Sequence, residues 1–415
     1  MDKISLDAFP EPPLCRIGML RTTPFHSRTA PLCQAHNWRR WAGYITAGSY
    51  ELTHEREYYA IRNSAALFDV SPLFKYEICG RDAVRILDRV VTRDVSRCEV
   101  HQVLYTTWCD AAGKVMDDGT LVRLEESRFR LTSAEPNLRW LQDNAFGMDV
   151  EIVDVSDSLG ALSLQGPNSR AILGSATDGA VDGLGFFRAT MARVGGVAVT
   201  VTRTGYSGDL GYEIWVDPAD APRLWDSLME VGKAHGITPA GILALDLGRI
   251  EAGLVLLDVD YVPAHRAVIE DRKSSPFELG LGWTVKLGKE GFVGRAALIE
   301  EKQRGPEWEI RGLEVSWESL EAVYAKVGLP PQLPSTAWRA SVPVYREGRQ
   351  VGYATSGCWS PILKKYIALV HLKAEHADPG TDVHMEVTVE HHRRQAAAQV
   401  VETPFFNPER KRSTP

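Results

Sequence analysis

The sequence predicts an α+β protein built from two related halves, closed by an all-β module. Three observations point there. A strand–helix–strand–strand–helix–strand rhythm runs through the first 157 residues and starts again at residue 159. From about Trp308 the text changes to short strands separated by turns. The chain has 415 residues, enough for several cores, and contains no run of eighteen apolar residues that would span a membrane. The boundaries that follow are an N-terminal α+β domain at 1–160, a second at 161–305 and a barrel or jelly-roll-like domain at 306–415.

The elements can be justified in order. The first twenty residues are acidic and proline-rich and read as an extended arm. Residues 50–72 read as a helix entering a strand, and 71–80 as a strand. In 81–91, Val84, Leu87 and Val91 share one helical face. Residues 102–134 read as three strands joined by the turns "DAAG" and "EES". A helix at 135–145 and a strand at 150–157 close the first half. The second half repeats the pattern: strand 159–167, helix 168–175, a hairpin over 194–216 and helix 219–236. Helix 241–254 carries an apolar stripe of Leu243, Leu247, Ile250 and Leu254. Residues 273–304 read as loop, strand, loop and helix. Beyond them come strands within 309–317, 342–357, 364–372 and 382–390, with 325–338 as an inserted loop and "NPERKRSTP" as a solvated end.

Composition narrows the function. The formal charge of -7 argues against a nucleic-acid partner, which would need a basic face. The six cysteines show no C-x-x-C spacing, and no basic-then-apolar leader opens the chain, so a cytoplasmic protein with reduced thiols is expected. The phosphate-binding, dinucleotide, zinc-protease and serine-hydrolase fingerprints are missing, and no metal site is expected. His391 and His392 are adjacent, and neighbouring strand residues face opposite ways.

What remains is a set of polar and aromatic residues in apolar or glycine-rich settings. In "GKVMDDGTLV" (113–122), Asp117 and Asp118 interrupt a core strand side by side. Alternation forbids both from sharing one solvated face, so at least one points inward or into a cleft. In "RTGYSGDLGYEIWV" (203–216), Tyr206 sits at a glycine-rich tip, and Glu213 lies in the strand that follows. A carboxylate there can take the paired N–H donors of a heterocycle, or be an ordinary hairpin acid. Trp41, Tyr44, Tyr105, Trp108, Phe186, Phe187 and Trp283 occupy loops or strand ends and suit the walls of a flat ligand, or an ordinary core.

These motifs, with "LFDVS" (67–71), "LQGP" (164–167), "DLGRIEAGL" (246–254), "ELGLGWTVKLGKEGFVGRAAL" (278–298) and "TSGCWSPILKKYIAL" (355–369), resemble the glycine-cleavage T-protein family of folate-dependent aminomethyltransferases. The resemblance implies a three-domain, cloverleaf-like arrangement with tetrahydrofolate in a central hole. It implies that Asp118 lies beside the folate nitrogens and that Glu213 binds the pterin. Tyr105, Ser133, Phe186, Phe187, Tyr206 and Trp283 would line the folate channel, and Tyr206 would meet the leaving oxygen. Trp41, Tyr44, Trp108 and Leu245 would face the substrate.

Departures from the family pattern shape the expected reaction. Leu245 stands where glycine-cleavage members have an arginine, Pro72 where they have a histidine, and Ser133 where they have an asparagine. Asp118 is followed by Gly119 and not by leucine. The Asp-Gly pair is similar to that of tetrahydrofolate-dependent O-demethylases acting on vanillate or dicamba. The expected reaction is therefore methyl transfer from a small methoxylated aromatic donor to N5 of tetrahydrofolate. Glycine-cleavage aminomethyl transfer, with a lipoyl carrier protein as partner, is the alternative, as is demethylation of another small N-methyl or S-methyl compound.

Overall fold

A computed structural model describes residues 20–413; the expected N-terminal arm lies, but for its last residue, outside the described residues. Phe74–Cys79, Val103–Cys109, Val115–Glu125, Arg128–Ser133 and Glu151–Asp154 form a five-stranded antiparallel sheet. Strand Val115–Glu125 lies between Val103–Cys109 and Arg128–Ser133. Helix Ala83–Val90 covers one face with Ile86, Leu87 and Val90, which pack on Tyr76, Leu121 and Phe129.

The second sheet has six strands in the spatial order Ala189–Val194, Val197–Thr202, Gly211–Val216, Gly160–Gln165, Ala65–Asp69 and Ile237–Pro239. It corrects the expected boundary at 160. Strand Ala65–Asp69 pairs antiparallel with Gly160–Gln165 and parallel with Ile237–Pro239, so it belongs in space to the second half. Burial explains the placement. Ala65 and Leu67 enter one apolar core while Ala66 and Phe68 enter another, and a strand apolar on both faces needs cover on both. A small three-stranded sheet of Arg21–Thr22, Asn37–Trp41 and Tyr44–Ser49 lies before it in the chain.

The C-terminal strands close a six-stranded barrel, with Trp308–Val315 pairing to both Lys365–Lys373 and His392–Val401. Helix Trp317–Ala325 was not foreseen; the Ser316 side chain caps it by accepting from the Ser319 amide. The strand expected within 273–304 is absent. Residues Gly282–Thr284 make a single tight turn, closed by the Thr284 hydroxyl on the Leu281 carbonyl at 2.7 Å. The expected solvated tail is also corrected. Arg410 makes a two-pronged contact with Asp209 at 2.7 Å, and Arg203 donates to the carbonyls of Lys411 and Ser413.

Helix Ile242–Glu251 sits where these parts meet. The expected stripe understates it: every residue from Ala244 to Glu251 is buried, charged ones included, while Leu243 is only half-buried. It packs against helix Glu55–Asn63, strand Tyr44–Ser49 and barrel strand Arg349–Ser360.

Gly119 has a structural reason of its own. A Cβ there would lie 1.9 Å from the Thr132 carbonyl oxygen of the neighbouring strand. The two strands approach too closely for any side chain. Gly119→Ala should therefore cost about 1–3 kcal/mol through forced separation of the ladder, read as a lower urea midpoint.

Candidate functional site

Asp117 and Asp118 do opposite jobs, as strand alternation requires. Asp117 is fully buried. It accepts from the amides of Asp118 and Glu135 and from Asn137 Nδ2, at 2.8–3.0 Å. That is a structural carboxylate, held well above its usual range first by burial and then by the charge of Asp118. Asp118 is half-buried. One of its oxygens accepts from the Tyr105 hydroxyl at 2.7 Å, the other from the Tyr261 hydroxyl. Burial raises its carboxyl, and the two phenol hydrogen bonds oppose that rise. No cation pairs with it among the described residues. The result is a half-buried carboxyl gripped by two neutral donors.

Tyr105 stacks on Trp283, with ring centroids 5.8 Å apart and planes 19° from parallel. Trp283 is 54% exposed, so this pair forms an aromatic edge open to solvent. Tyr261 was missed in the sequence. Its only signal was a tyrosine next to an acid in "DVDYVP", and nothing there shows that the loop folds back onto residue 118. The fold supplies that return. Asp260 is pinned by Arg249, by the Leu256 amide and by the hydroxyls of Thr355 and Ser356, which aims its neighbour.

Glu213 lies on strand Gly211–Val216, opposite Ser163 and Thr202. It is half-buried, accepts from the Thr204 hydroxyl at 2.5 Å, and is raised by burial against hydrogen bonds from Thr204 and Thr202. A carboxylate offers about four acceptor positions, so capacity remains for paired N–H donors. The connection before it turns at Gly208, whose φ of +76° suits glycine. Gly205 and Gly211 have another use: they make room for the buried Gln165 side chain.

Other expected site residues divide. Trp41 and Leu245 line one narrow crevice and share an apolar cluster with Tyr206 and Phe68. Tyr206 is half-buried and donates its hydroxyl to the Val255 carbonyl, so its proton is already engaged and would have to leave that bond to reach a leaving oxygen. Phe186 and Phe187 meet edge to face at 4.6 Å. Phe187, at φ 56°, joins the two sheets: its carbonyl accepts from Val103 and its amide donates to Arg203.

Three assignments are corrected. Trp108 is fully buried in the first core, its indole N–H on Asn137, and cannot face a substrate. Ser133 is buried with its hydroxyl on the Glu135 carbonyl at 2.8 Å. Tyr44 is buried, its hydroxyl on the Asp157 carboxylate and its ring covered by Arg21, 4.2 Å from its centre.

Two predictions test this geometry. Because Asp118 is raised in the native state, ionising it costs native stability as pH rises above the unfolded carboxyl range. Asp118→Asn should therefore gain stability relative to the parent as pH rises above the unfolded carboxyl range, measured by urea unfolding at each pH. Tyr261→Phe removes one of the two bonds holding that carboxyl down. The acidic limb of the pH–activity profile should move to higher pH, with the fold unchanged by circular dichroism.

Comparison with known proteins fits this arrangement. Residues 24–289 match the GCVT N-terminal domain, and residues 326–407 match the glycine cleavage T-protein C-terminal barrel domain. An aminomethyltransferase of Halalkalibacterium halodurans is 34% identical over 371 residues, covering 88% of this chain and 92% of the relative. One from Halothermothrix orenii is 32% identical over 381 residues, covering 91% and 96%. The crystal structure of the glycine cleavage system aminomethyltransferase T from Bartonella henselae superposes with a TM-score of 0.80 at 25% identity, covering 95% of this chain and all of that one. With both domain models matched in order and relatives aligned over nearly its whole length, the chain belongs to the glycine-cleavage T-protein family.

Proposed function

We propose that the chain is a tetrahydrofolate-dependent one-carbon transferase working at Asp118, and that an aminomethyl group is its first-ranked one-carbon unit. The observation that carries the reading is Asp118 itself: a half-buried acid with both oxygens held by phenols, in a chain whose full-length relatives are named aminomethyltransferases. The residues present fit a reduced folate. Glu213 keeps spare acceptor capacity for the N–H groups of a pterin, and the Tyr105–Trp283 stack offers a flat face to an aryl ring. When bound, tetrahydrofolate supplies the amine that takes up the one-carbon unit.

The chain's own residues do the rest. Glu213 anchors one end of the ligand. Asp118 stabilises positive charge that builds beside it, and its raised carboxyl can hold a proton near the amine that departs. Tyr105 and Tyr261 fix its orientation, so that little reorganisation is needed as charge develops. Under this reading a lipoyl carrier protein is the partner that delivers the group.

A second reading, methyl transfer from a small methoxylated aromatic, rests on Leu245. Its side chain is buried with Trp41, Tyr206 and Phe68 in an apolar cluster and offers a ligand carboxylate neither charge nor hydrogen bond, at a cost of about 1–3 kcal/mol. Side chains of this kind favour an aryl group over a carboxylate.

The deciding experiment incubates purified protein and tetrahydrofolate with an aminomethylated lipoyl carrier or with methoxyaromatics, and reads the folate by mass spectrometry. Methylene-tetrahydrofolate and ammonia from the carrier support the first reading; methyl-tetrahydrofolate and a phenol support the second. No folate product from either donor removes both. With the active donor, Asp118→Asn should lower turnover roughly 10²-fold. Glu213→Ala should weaken tetrahydrofolate binding about tenfold to a hundredfold in titration calorimetry, and an unchanged dissociation constant would take Glu213 out of the site.

A further inference from the structure

A second feature lies where the small three-stranded sheet meets helix Ile242–Glu251. A crevice of about 10 Å³, room for one water-sized body, has a lining that includes Trp41, Thr46, Tyr50, Phe68, Asp69 and Leu245. Trp41, Phe68 and Leu245 belong to the apolar cluster that also holds Tyr206. One polar group in this lining is orphaned. Thr46 is 5% exposed, and its hydroxyl oxygen has no hydrogen-bond partner among the described residues.

The charge balance of the crevice favours a cation. Asp69 is half-buried and accepts from the Thr23 hydroxyl at 2.5 Å and the Ser71 amide at 3.1 Å. A carboxylate offers about four acceptor positions, so about two stay free. Among the described residues no lysine or arginine lines the crevice. Lys75 is the cation that acts on Asp69, and its ammonium is spent on the carbonyls of Ser71, Leu73 and Ser156 at 2.6–3.2 Å. The start of helix Ile242–Glu251 also borders the crevice, but the Glu57 carboxylate already takes its Gly241 amide at 2.7 Å. The aromatic side chains of Trp41, Tyr50 and Phe68 suit a positive guest. Calcium or magnesium would ask for about six or more oxygen ligands. Side-chain oxygens come only from Thr29, Thr46, Tyr50 and Asp69. A water-sized cation that donates hydrogen bonds in all directions fits this lining better.

We infer that the crevice is an ammonium site, with Asp69 and the Thr46 hydroxyl accepting from the ion, and that it takes up the ammonium left by aminomethyl transfer. The departing amine leaves as ammonia and gains one proton from water at neutral pH; no bond to carbon is made or broken in the crevice. The product role rests on the aminomethyl reading of the Asp118 site. The binding rests on the crevice alone.

Urea midpoints in ammonium, potassium and sodium chloride at matched concentrations test it, on the parent, Thr46→Val and Asp69→Asn, with folding checked by circular dichroism. Thr46→Val nearly keeps the shape of the side chain and removes an unpartnered hydroxyl, so it should fold. Ammonium should raise the parent's midpoint above the other two salts, as a ligand of the native state does. Thr46→Val should weaken the apparent ammonium affinity about tenfold, the scale of a hydrogen bond to a charged group. Asp69→Asn should abolish the difference between the salts. Equal parent midpoints in all three salts, or an ammonium effect unchanged in both variants, would overturn the inference. A potassium effect as large as that of ammonium would do the same, by making the crevice a general monovalent-cation site. During turnover with an aminomethylated lipoyl carrier, added ammonium should slow the parent more than Thr46→Val; equal slowing removes the product role. If the carrier yields no ammonia, the aminomethyl reading fails and takes the product role with it, while the salt series still decides the binding.

Discussion

The structure depends on buried charge in helix Ile242–Glu251. Asp246, Arg249 and Glu251 are removed from water, and an uncompensated charge there would be strongly destabilising. Each is compensated from a different part of the chain. Glu251 takes Arg62 and Tyr58 from helix Glu55–Asn63 and the Ser360 hydroxyl from the barrel. Asp246 takes Arg249 from its own helix and Arg339 from the loop before strand Val342–Arg346. Arg249 takes Asp260, which in turn holds Thr355 and Ser356 of the barrel. Apolar packing alone would let the parts slide over one another; these pairings fix their register. Since Tyr261 follows Asp260, the same network aims a phenol at Asp118 from outside the sheet that carries it.

The site this produces is electrostatically unusual. Among the described residues Asp118 is steadied by two phenols and no cation, so its carboxyl stays raised and responsive to the ligand's own charge. A guanidinium in place of either phenol would have lowered it. The hydroxyls of Tyr105 and Tyr261 are themselves raised, first by burial and then by Asp118, so they remain neutral donors. Glu213 follows the same rule with threonine hydroxyls. Both acids are set by burial and neutral hydrogen bonds, which suits a ligand that brings N–H groups and a developing positive charge.

How much of this was legible in the sequence follows from the range of each interaction. Strand period put Asp117 and Asp118 on opposite faces without telling which faced a cleft, and the glycine-rich setting of Glu213 left a ligand contact and an ordinary hairpin acid both open. The closing barrel was readable from its turn spacing. What failed was everything set by distant partners. Trp108 and Trp283 look alike in a sequence, yet one is sealed in a core and the other more than half open. Strand Ala65–Asp69 gives no local sign that it crosses into the later sheet. Tyr261 and the Arg249–Asp260 pair depend on a loop returning across the molecule. Gly119 looked like a mark of reaction type, and the close approach of Thr132 gives it a steric cause as well.

The docked C-terminal segment bears on how the protein is made. Asp209 lies between Tyr206 and Glu213, and its side chain is fully buried against Arg62 and Arg410. Arg62 stands 3.5 Å away, while Arg410 makes the two shorter contacts. During synthesis Asp209 therefore waits about two hundred residues for its main counter-ion. Strand Ala65–Asp69 likewise waits for Gly160–Gln165 and Ile237–Pro239 before its sheet is whole. The strand bearing Glu213 has both its ladder partners upstream, but Asp209 beside it gains its two shorter contacts only once residue 410 has been made. A nascent chain halted in the barrel would hold every residue of the Asp118 site and still lack the clasp on the Glu213 side.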